Sequence, residues 1–428
     1  MSLNDTMEPL FVGIDVGKNV HCYAAYVGLE LQPLFAPRTV LASSASYADF
    51  AAWLREQLRV QRYSRIVVGL EPTGVYHEPW SAALERDFAQ QVELRWVDPA
   101  RTFHARQQLQ QRPERKSDPA DVEALAHCLR DNLGRRLSFR EPELSELASC
   151  CSRHYVLKHE RLQLGNRLHS LIDRLWPGAL VNLAAYRKAH PDLDPPEPLA
   201  ATRGLERRLV RTVLELDPNP YTWLARTLEE IQVVLRTAGL PCGPQTAQRL
   251  WRVAHNAMLL STETTALYAG YVRDDLARYI QLEAQLAALQ TRAVALFRTT
   301  RAVGIAAIPG ISEFLAAQYV AIVGDVRRFD HADQIWSLVG FDTVQDNSGD
   351  RRRLGKLTKR GAPWQRATLY QMGLSASLKC PAIAQAKARA RQRGMSRVAA
   401  TLHAAHKVNR ICFHLYQHNE RFDPQLLR

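Results

Sequence analysis

Short apolar runs alternate with amphipathic stretches along the first third of the chain. Runs of this length are typical of buried strands, whereas apolar residues at helical spacing are typical of amphipathic helices. We predict strands at 10–14, 20–26, 38–41, 66–70 and 92–97, and helices at 46–59 and 78–90. The strand at 38–41 has the weakest pattern and is assigned to a sheet edge. This order of strands and helices predicts an α/β domain with a layered core.

The middle of the chain carries the apolar stripes of longer helices. Residues 143–176 predict one long helix, and residues 245–299 predict another that is interrupted near Gly270. Between them, residues 199–240 predict shorter helical pieces. Two long helices that flank an insert suggest an antiparallel coiled-coil arm, able to dimerise the protein or to hold a nucleic acid. The stripes carry no chemistry of their own and are interpreted as core.

Composition narrows the class of protein. A chain of 428 residues, 46% hydrophobic, is long enough for two or three globular domains. Its formal net charge of +13 favours a polyanionic partner, nucleic acid before membrane. The seven cysteines form no CxxC pair, which fits a reducing cytosol and makes a zinc ribbon a poor interpretation. Without a signal peptide or an apolar run long enough to cross a bilayer, the sequence predicts a cytoplasmic protein.

Acidic residues follow two of the predicted strands and open one helix. Asp15 ends the first strand, Glu71 follows the strand at 66–70, and Asp118-Pro-Ala-Asp121 begins a helix. Pro119 suits the first helical position, so Asp118 is predicted to be the N-cap and Asp121 to lie in the first turn. The simplest interpretation of that pair is structural, because acids at a helix start suit the helix dipole.

An RNase H-like fold would bring its first strand, its fourth strand and its final helix to one sheet edge. Asp15, Glu71, Asp118 and Asp121 would then meet, and carboxylates so placed can hold two Mg²⁺ ions for phosphoryl transfer on nucleic acid. Asp98 lies near the same edge and is a competing candidate, but Pro99 and a predicted loop follow it.

The last third combines turns with basic residues. Ile308-Pro-Gly-Ile311 resembles the turn of a helix-hairpin-helix, whose backbone amides contact phosphates. Ser348 lies in Asn-Ser-Gly-Asp, which is ordinary turn chemistry. The basic run that follows, from Arg351 to Arg360, could neutralise a phosphate held against Ser348 and lower the cost of a serine alkoxide. A second basic run, residues 387–397, is expected to follow a nucleic-acid backbone.

The motifs taken together resemble the DEDD-type transposases of insertion sequences. These are bridge-RNA-guided recombinases with an N-terminal RuvC-like domain, and their relatives include pilin-gene invertases. The similar segments are Gly13-Ile-Asp15-Val-Gly-Lys18, Glu71-Pro-Thr-Gly74-Val-Tyr76-His77, Lys116-Ser-Asp118-Pro-Ala-Asp121, Ile308-Pro-Gly-Ile311, and Ser348-Gly349 followed by Gly355-Lys-Leu-Thr-Lys-Arg-Gly361. They stand in the family's order at both ends of the chain. The segment at about 181–265 has no counterpart.

The resemblance implies roles for these residues. Asp15, Glu71, Asp118 and Asp121 match the family's metal-binding acids, which use Mg²⁺. Ser348 matches the serine proposed to form a covalent link to DNA, in a composite site between protomers of a dimer or tetramer. A structured guide (bridge) RNA is the implied partner beside DNA. The residues expected to contact nucleic acid are Lys18, Arg101, Arg106, Arg112, Arg115, Lys116, Arg351, Arg352, Arg353, Lys356, Lys359, Arg360 and Arg366.

We therefore predict three domains. These are an α/β RuvC-like RNase H-fold domain at 1–140, a long helical coiled-coil region at 141–300, and a mostly α transposase domain at 301–428 that carries Ser348. The predicted function is a transposase or site-specific recombinase that cuts and rejoins DNA. Three alternatives stay open: an RNase H-like endonuclease that activates water, a transposase that joins a free 3′-OH through the acids alone, and a non-catalytic nucleic-acid scaffold.

Overall fold

The computed structural model describes residues 7–72, 74–109, 117–136, 141–200, 204–342, 346–348, 351–353 and 357–424, with backbone alone at 346–348 and 351–353. The described residues divide into two compact units, Met1–Phe139 and Arg140–Arg428. The predicted division of the second unit near residue 300 stays a prediction. Within the described ranges no helix is both long and apolar enough to cross a membrane.

The first unit is built on one mixed sheet. Its two central strands are buried at every position except Asp15, which is partly exposed, as the apolar runs require. The strands are β1 (Leu10–Val16), β2 (Val20–Val27), β3 (Gln32–Pro33), β4 (Arg38–Leu41), β5 (Ile66–Leu70), β6 (Glu93–Trp96) and β7 (Arg135–Arg136). They pair in the order β3-β2-β1-β5-β6-β7, and β4 also pairs with β2. The β1–β2 pair is antiparallel, whereas β1–β5 and β5–β6 are parallel.

Helices cover both faces of this sheet. They are α1 (Ser44–Val60), α2 (Glu78–Phe88), α3 (Pro99–Leu109) and α4 (Asp118–Arg130). One face buries Phe50 and Trp80 from α1 and α2, and the opposite face buries Val122 and Leu125 from α4. The first strand, the next parallel strand and the last helix therefore come together, which is the arrangement predicted for an RNase H-like domain.

Two local predictions in this unit are wrong, and the weak edge strand is confirmed as β4. The helix after Asp98 was missed. The Oδ1 atom of Asp98 accepts a hydrogen bond from the Ala100 backbone amide at 2.9 Å, so Asp98-Pro99 starts α3 as a capping pair. Asp118 is not an N-cap: it is the first residue of α4, and Ser117 is the N-cap.

The second unit begins with a pair of long helices. They are α5 (Pro142–Leu175) and α11 (Thr262–Arg298), and they run antiparallel. Ion pairs join Arg292 to Glu146 at 2.6 Å near one end and Arg278 to Glu160 at 2.6 Å further along. The two long helices are therefore antiparallel, and their role as a coiled-coil arm stays a prediction. The predicted interruption near Gly270 is wrong, because α11 passes through that residue without a break.

Shorter helices lie between the long pair. They are α6 (Leu183–Ala189), α7 (Arg208–Leu216), α8 (Pro220–Leu224), α9 (Leu228–Thr237) and α10 (Pro244–Asn256). Their buried residues, including Trp223 and Leu250, form one core with the C-terminal half of α5 and the N-terminal part of α11. The apolar stripes of this region are therefore core, as predicted.

A second core in this unit belongs to the C-terminal helices. They are α12 (Glu313–Val323), α13 (Ala332–Leu338), α14 (Pro363–Lys379), α15 (Pro381–Gln392) and α16 (Arg397–His418), with 3-10 turns at Val303–Ala307 and Val326–Arg328. In this core the buried face of α12 packs with the N-terminal end of α5 and the C-terminal end of α11. A hairpin of β8 (Asp346–Ser348) and β9 (Arg351–Arg353) lies between α13 and α14.

Candidate functional site

Two acids meet at one end of the central strands. Gly13 pairs with Gly69 and Ile14 with Leu70 in the parallel β1–β5 ladder. The next pair in this register is Asp15 and Glu71. Because side chains alternate along a strand, both acids point to the sheet face that Gly13 and Gly69 share, which is the face covered by α4.

Two glycines let α4 lie close to the sheet at this point. A Cβ atom on Gly13 would lie 2.6 Å from the carbonyl oxygen of Val122, and one on Gly69 would lie 2.5 Å from Leu129 Cδ2. Any larger residue would hold the helix away from β1 and β5. The close contact positions the first turn of α4 over the strand end that carries Asp15.

The negative charges of the predicted acids act on two buried thiols, Cys22 and Cys128. Burial raises the pKa of the Cys22 thiol, and the negative charges of Asp118, Asp15 and Asp121 raise that pKa further. Cys22 is the register partner of Asp15 on β2. The three carboxylates therefore act on one point, although they come from two separate elements.

Glu71 acts on the neighbouring part of α4. Burial first, and then the charges of Asp131 and Glu71, raise the pKa of Cys128 to about 11, while the charge of Arg101 opposes the increase. Glu71 thus lies on the α4 face, as the strand alternation requires. The structure brings all four predicted acids to the same side of the sheet.

Asp121 already has a cationic partner within the unit. Its side chain is buried, and its Oδ1 atom forms a short ion pair with the guanidinium of Arg106 from α3, which is buried as well. The Nε atom of Arg106 has no hydrogen-bond partner in the described part of the chain. Arg106 was expected to contact nucleic acid. In this structure its charge faces Asp121, a pairing that α3 makes possible and that sequence reasoning missed.

The donor set fits a hard divalent cation. Four carboxylates on one sheet face offer the oxygen ligands that Mg²⁺ prefers, with no soft ligand needed. In the described ranges, however, no group of three His, Cys, Asp or Glu side chains is arranged to hold a metal ion. Because Asp121 is occupied by Arg106, the predicted two-ion geometry stays a prediction.

The other predicted contacts fall into three groups. Lys18, Arg101, Lys359 and Arg360 are exposed, so phosphate contacts stay a prediction for them. Arg366 is partly buried. The remaining predicted residues lie outside the described side chains: Arg112, Arg115, Lys116, Arg351, Arg352, Arg353 and Lys356.

Ser348 lies at the end of β8, and its side chain is outside the described part. The base of its hairpin is held by main-chain bonds, since the amide of Thr358 donates to the Asp342 carbonyl at 2.8 Å. The guanidinium of Arg366 donates to the carbonyls of Val339 and Lys359, both at 3.1 Å, and to that of Gly361. Arg366 therefore anchors the hairpin base, which differs from the predicted nucleic-acid contact.

Known families match both ends of this chain. A model of DEDD-type IS110 transposases, described as "Transposase", matches residues 12–177. A second model, "Transposase IS116/IS110/IS902 family", matches residues 304–391. Together the two matches span more than half of the chain and include every described element of the candidate site. Both ends of the chain are therefore similar to IS110-type transposases.

Two individual proteins are similar to this chain. A Pseudomonas aeruginosa (PAO1) protein called "Probable family 20 transposase" is 33% identical over 141 residues, which is 31% of this chain and 41% of that protein. The match thus spans less than half of the relative's length. The T. thermophilus RuvC structure solved with a Holliday junction substrate is 17% identical and covers 30% of this chain and 99% of that chain. Its TM-score of 0.22 is too low to carry an argument.

Proposed function

We propose that this chain is a transposase that cuts and rejoins DNA strands during the movement of an insertion sequence. The observation that carries the proposal is the convergence of Asp15, Glu71, Asp118 and Asp121 on one sheet face, within the segment matched by the DEDD transposase model. The formal net charge of +13 supports a nucleic-acid substrate.

The acids are proposed to hold Mg²⁺, which would supply charge stabilisation at the scissile phosphate when bound. Asp15 and Glu71 are fixed by the β1–β5 ladder, and Asp118 is presented on the exposed side of the first turn of α4. Asp121 would join them only when Arg106 leaves it. The chain's own part in the reaction is to present these carboxylates from rigid elements.

Ser348 is proposed as the attacking group. Its hydroxyl oxygen would form a bond to phosphorus, the bond to one DNA oxygen would break, and the serine proton would pass to solvent or a nearby base. The departing strand would leave as a hydroxyl, and attack by another DNA hydroxyl would release Ser348 again. The hairpin that carries Ser348 and the anchor of its base by Arg366 support such a role for this segment.

Asp15→Asn and Asp98→Asn make a matched test of the acids. Both residues lie at or just beyond the carboxyl end of a strand, and both changes remove one charge. The side-chain amide oxygen that Asp98→Asn introduces can still accept the bond that caps α3. With a plasmid that carries the gene and its flanking DNA, we expect Mg²⁺-dependent strand cleavage to be lost in Asp15→Asn and retained in Asp98→Asn. Equal cleavage by both variants would contradict the proposed site.

Ser348→Ala separates the open mechanisms. A covalent protein–DNA adduct in the wild-type protein that is absent in Ser348→Ala supports the serine mechanism. Cleavage by Ser348→Ala that leaves a free 3′-OH would instead favour a mechanism that uses the acids alone, either hydrolysis or direct joining. Binding without cleavage in every preparation, unaffected by Asp118→Ala, would favour a scaffold.

A structured guide RNA and a dimer or tetramer are further parts of the proposal. The sequence resemblance described above implies both, and the basic charge of the chain fits a nucleic-acid partner. RNA that copurifies with the protein, and that maps to the noncoding DNA beside the gene, would support guidance. Light scattering of the complex would give the number of protomers, and a monomer that recombines DNA would refute the composite site.

A further inference from the structure

A large cleft lies in the second unit, and its described lining residues include none of the candidate acids. Its volume is about 1150 Å³, and its walls come from α5, from the start of α12 and from α14. This is larger than the usual range for small-molecule pockets, roughly 300–1,000 Å³. The cleft therefore has the size of a groove for a chain molecule. We call it the α5–α12–α14 cleft.

The described lining of the α5–α12–α14 cleft carries one more positive than negative charge, and its unpaired cation is Lys158. Lys158 and Arg161 line it, and Glu206 is the one acidic residue among its described lining residues. Arg161 also contacts Glu283 outside the cleft at 3.2 Å. Lys158 is exposed and makes no ion pair with a described residue. A cleft with this balance favours a phosphate-bearing ligand over an acidic or apolar peptide.

Aromatic rings line the same walls. Phe314 packs against His154 with ring centroids 4.6 Å apart, and Tyr155 packs against His159 at 4.4 Å. Burial and, to a smaller extent, the charges of Lys158 and Arg161 together lower the pKa of His154 to about 4. His154 is therefore an uncharged ring at neutral pH. Half-buried rings beside cations are the arrangement on which nucleobases stack.

Amide side chains complete the lining. Asn166, Gln318 and Gln371 face the cleft, and Gln371 donates to the Ser375 hydroxyl at 2.9 Å. An amide offers both donors and an acceptor, so it can pair with the edge of a base. In a duplex the base edges are already paired and the base faces are already stacked. Only unpaired nucleotides offer both to such a cleft.

We propose that the α5–α12–α14 cleft binds a stretch of unpaired nucleotides, with Phe314 as a stacking surface and Lys158 as a phosphate contact. The ligand is a single-stranded segment or loop of either RNA or DNA, because both carry this chemistry. The proposal goes beyond the proposed reaction. It concerns binding by a separate surface and requires neither the acids nor Ser348.

The test is fluorescence anisotropy with the full-length protein in a chelating buffer, so that no cleavage occurs. The probes are labelled oligo(rU), oligo(dT) and a blunt duplex of equal length. The cleft variants are Phe314→Leu and Lys158→Ala, and Gln371→Ala is added because this exposed residue can change without risk to folding. Arg153→Ala is the matched control, since Arg153 is exposed on the same helix but does not line the cleft.

We expect Phe314→Leu to weaken single-strand binding by about fivefold or more and to leave duplex binding unchanged. Lys158→Ala should lower the slope of log Kd against log salt by about 0.7, the value for one phosphate contact on a single strand. Arg153→Ala should change neither quantity. A preference for oligo(rU) or for oligo(dT) identifies the natural ligand as RNA or DNA and supports the proposal.

Wild-type affinity in Phe314→Leu, Lys158→Ala and Gln371→Ala would overturn the proposal, and so would a duplex that competes as well as the single strands. Thermal melting shows whether each variant is folded. Asp15→Asn keeps this test distinct from the proposed function, because it should abolish cleavage and leave single-strand binding intact. Loss of binding in Asp15→Asn with wild-type binding in the cleft variants would assign the single strand to the first unit instead.

Discussion

The buried pair of Arg106 and Asp121 offers a direct test of the candidate site. The side chains are 11% and 5% exposed, so both charges depend on each other rather than on water. Arg106→Met keeps most of the side-chain volume but leaves a buried carboxylate without its partner. Removing one member of a buried ion pair costs about 3–5 kcal/mol. We expect Arg106→Met to lower the free energy of unfolding by this amount in chelating buffer.

The measurement is urea unfolding of the full-length chain, followed by the fluorescence of its tryptophans. The double variant Arg106→Met/Asp121→Asn should recover much of the loss, because it removes the uncompensated charge. Arg59→Met is the control in the same unit, since Arg59 pairs with Glu56 at 2.7 Å on the exposed side of α1. That change should leave the free energy of unfolding unaltered within error.

Urea unfolding in the presence of Mg²⁺ tests whether Arg106 occupies the position of a bound cation. If Arg106 stands where a cation would bind, Mg²⁺ should stabilise Arg106→Met more than wild type. A ligand at a hundredfold its Kd adds about 2.7 kcal/mol. Equal unfolding of Arg106→Met and Arg59→Met would refute the energetic argument. Equal Mg²⁺ stabilisation of wild type and Arg106→Met would refute the idea that Arg106 competes with a cation.

Three further predictions concern packing, anchoring and pH. Gly13→Ala places a methyl group 2.6 Å from the Val122 carbonyl oxygen, so we expect a loss of about 1–3 kcal/mol in thermal melts and weaker cleavage as α4 moves away from the acids. Arg366→Met leaves the carbonyls at the hairpin base without their donor, and hydrogen exchange at the Thr358 amide should become faster, whereas an unchanged rate would contradict the anchor. Because burial lowers the pKa of His154 from 6.5 to about 4, the unfolded chain binds the proton first, and stability that is present above pH 6.5 should fall as the pH drops toward 4. His154→Gln should flatten this dependence in urea melts recorded across that range.

Much of the local structure follows from the pattern of apolar residues. The apolar run at 66–70 is the buried strand β5, and the weak pattern at 38–41 is β4, an exposed strand held by its pairing with β2. The long helix α5 was predicted from its stripe, whereas the stretch predicted as one helix broken near Gly270 is two helices, α10 and an unbroken α11. The missed α3 shows the limit of this reasoning. Apolar residues recur only weakly at helical spacing along α3. Its one clear helix-start signal, Asp98 before Pro99, is of the same kind as Asp118 before Pro119 at the start of α4.

The sequence by itself determined that four acids stand at strand ends and at a helix start, since each position depends on a short stretch of chain. The order of the strands, with β1 between β2 and β5, brings Asp15 beside Glu71, and that is a property of the whole sheet. The depth of α4 depends on Gly13 and Gly69, which are far apart in the chain but directly paired in the ladder.

Only the tertiary structure determines which partners the charged side chains contact. Arg106 and Arg366 look like surface cations in a basic chain, yet one pairs with the buried Asp121 and the other anchors the base of the Ser348 hairpin. The α5–α12–α14 cleft likewise combines residues from three distant helices. Local propensity acts over a few residues, whereas ion pairs and clefts depend on distances between elements, and only the packed chain sets those distances.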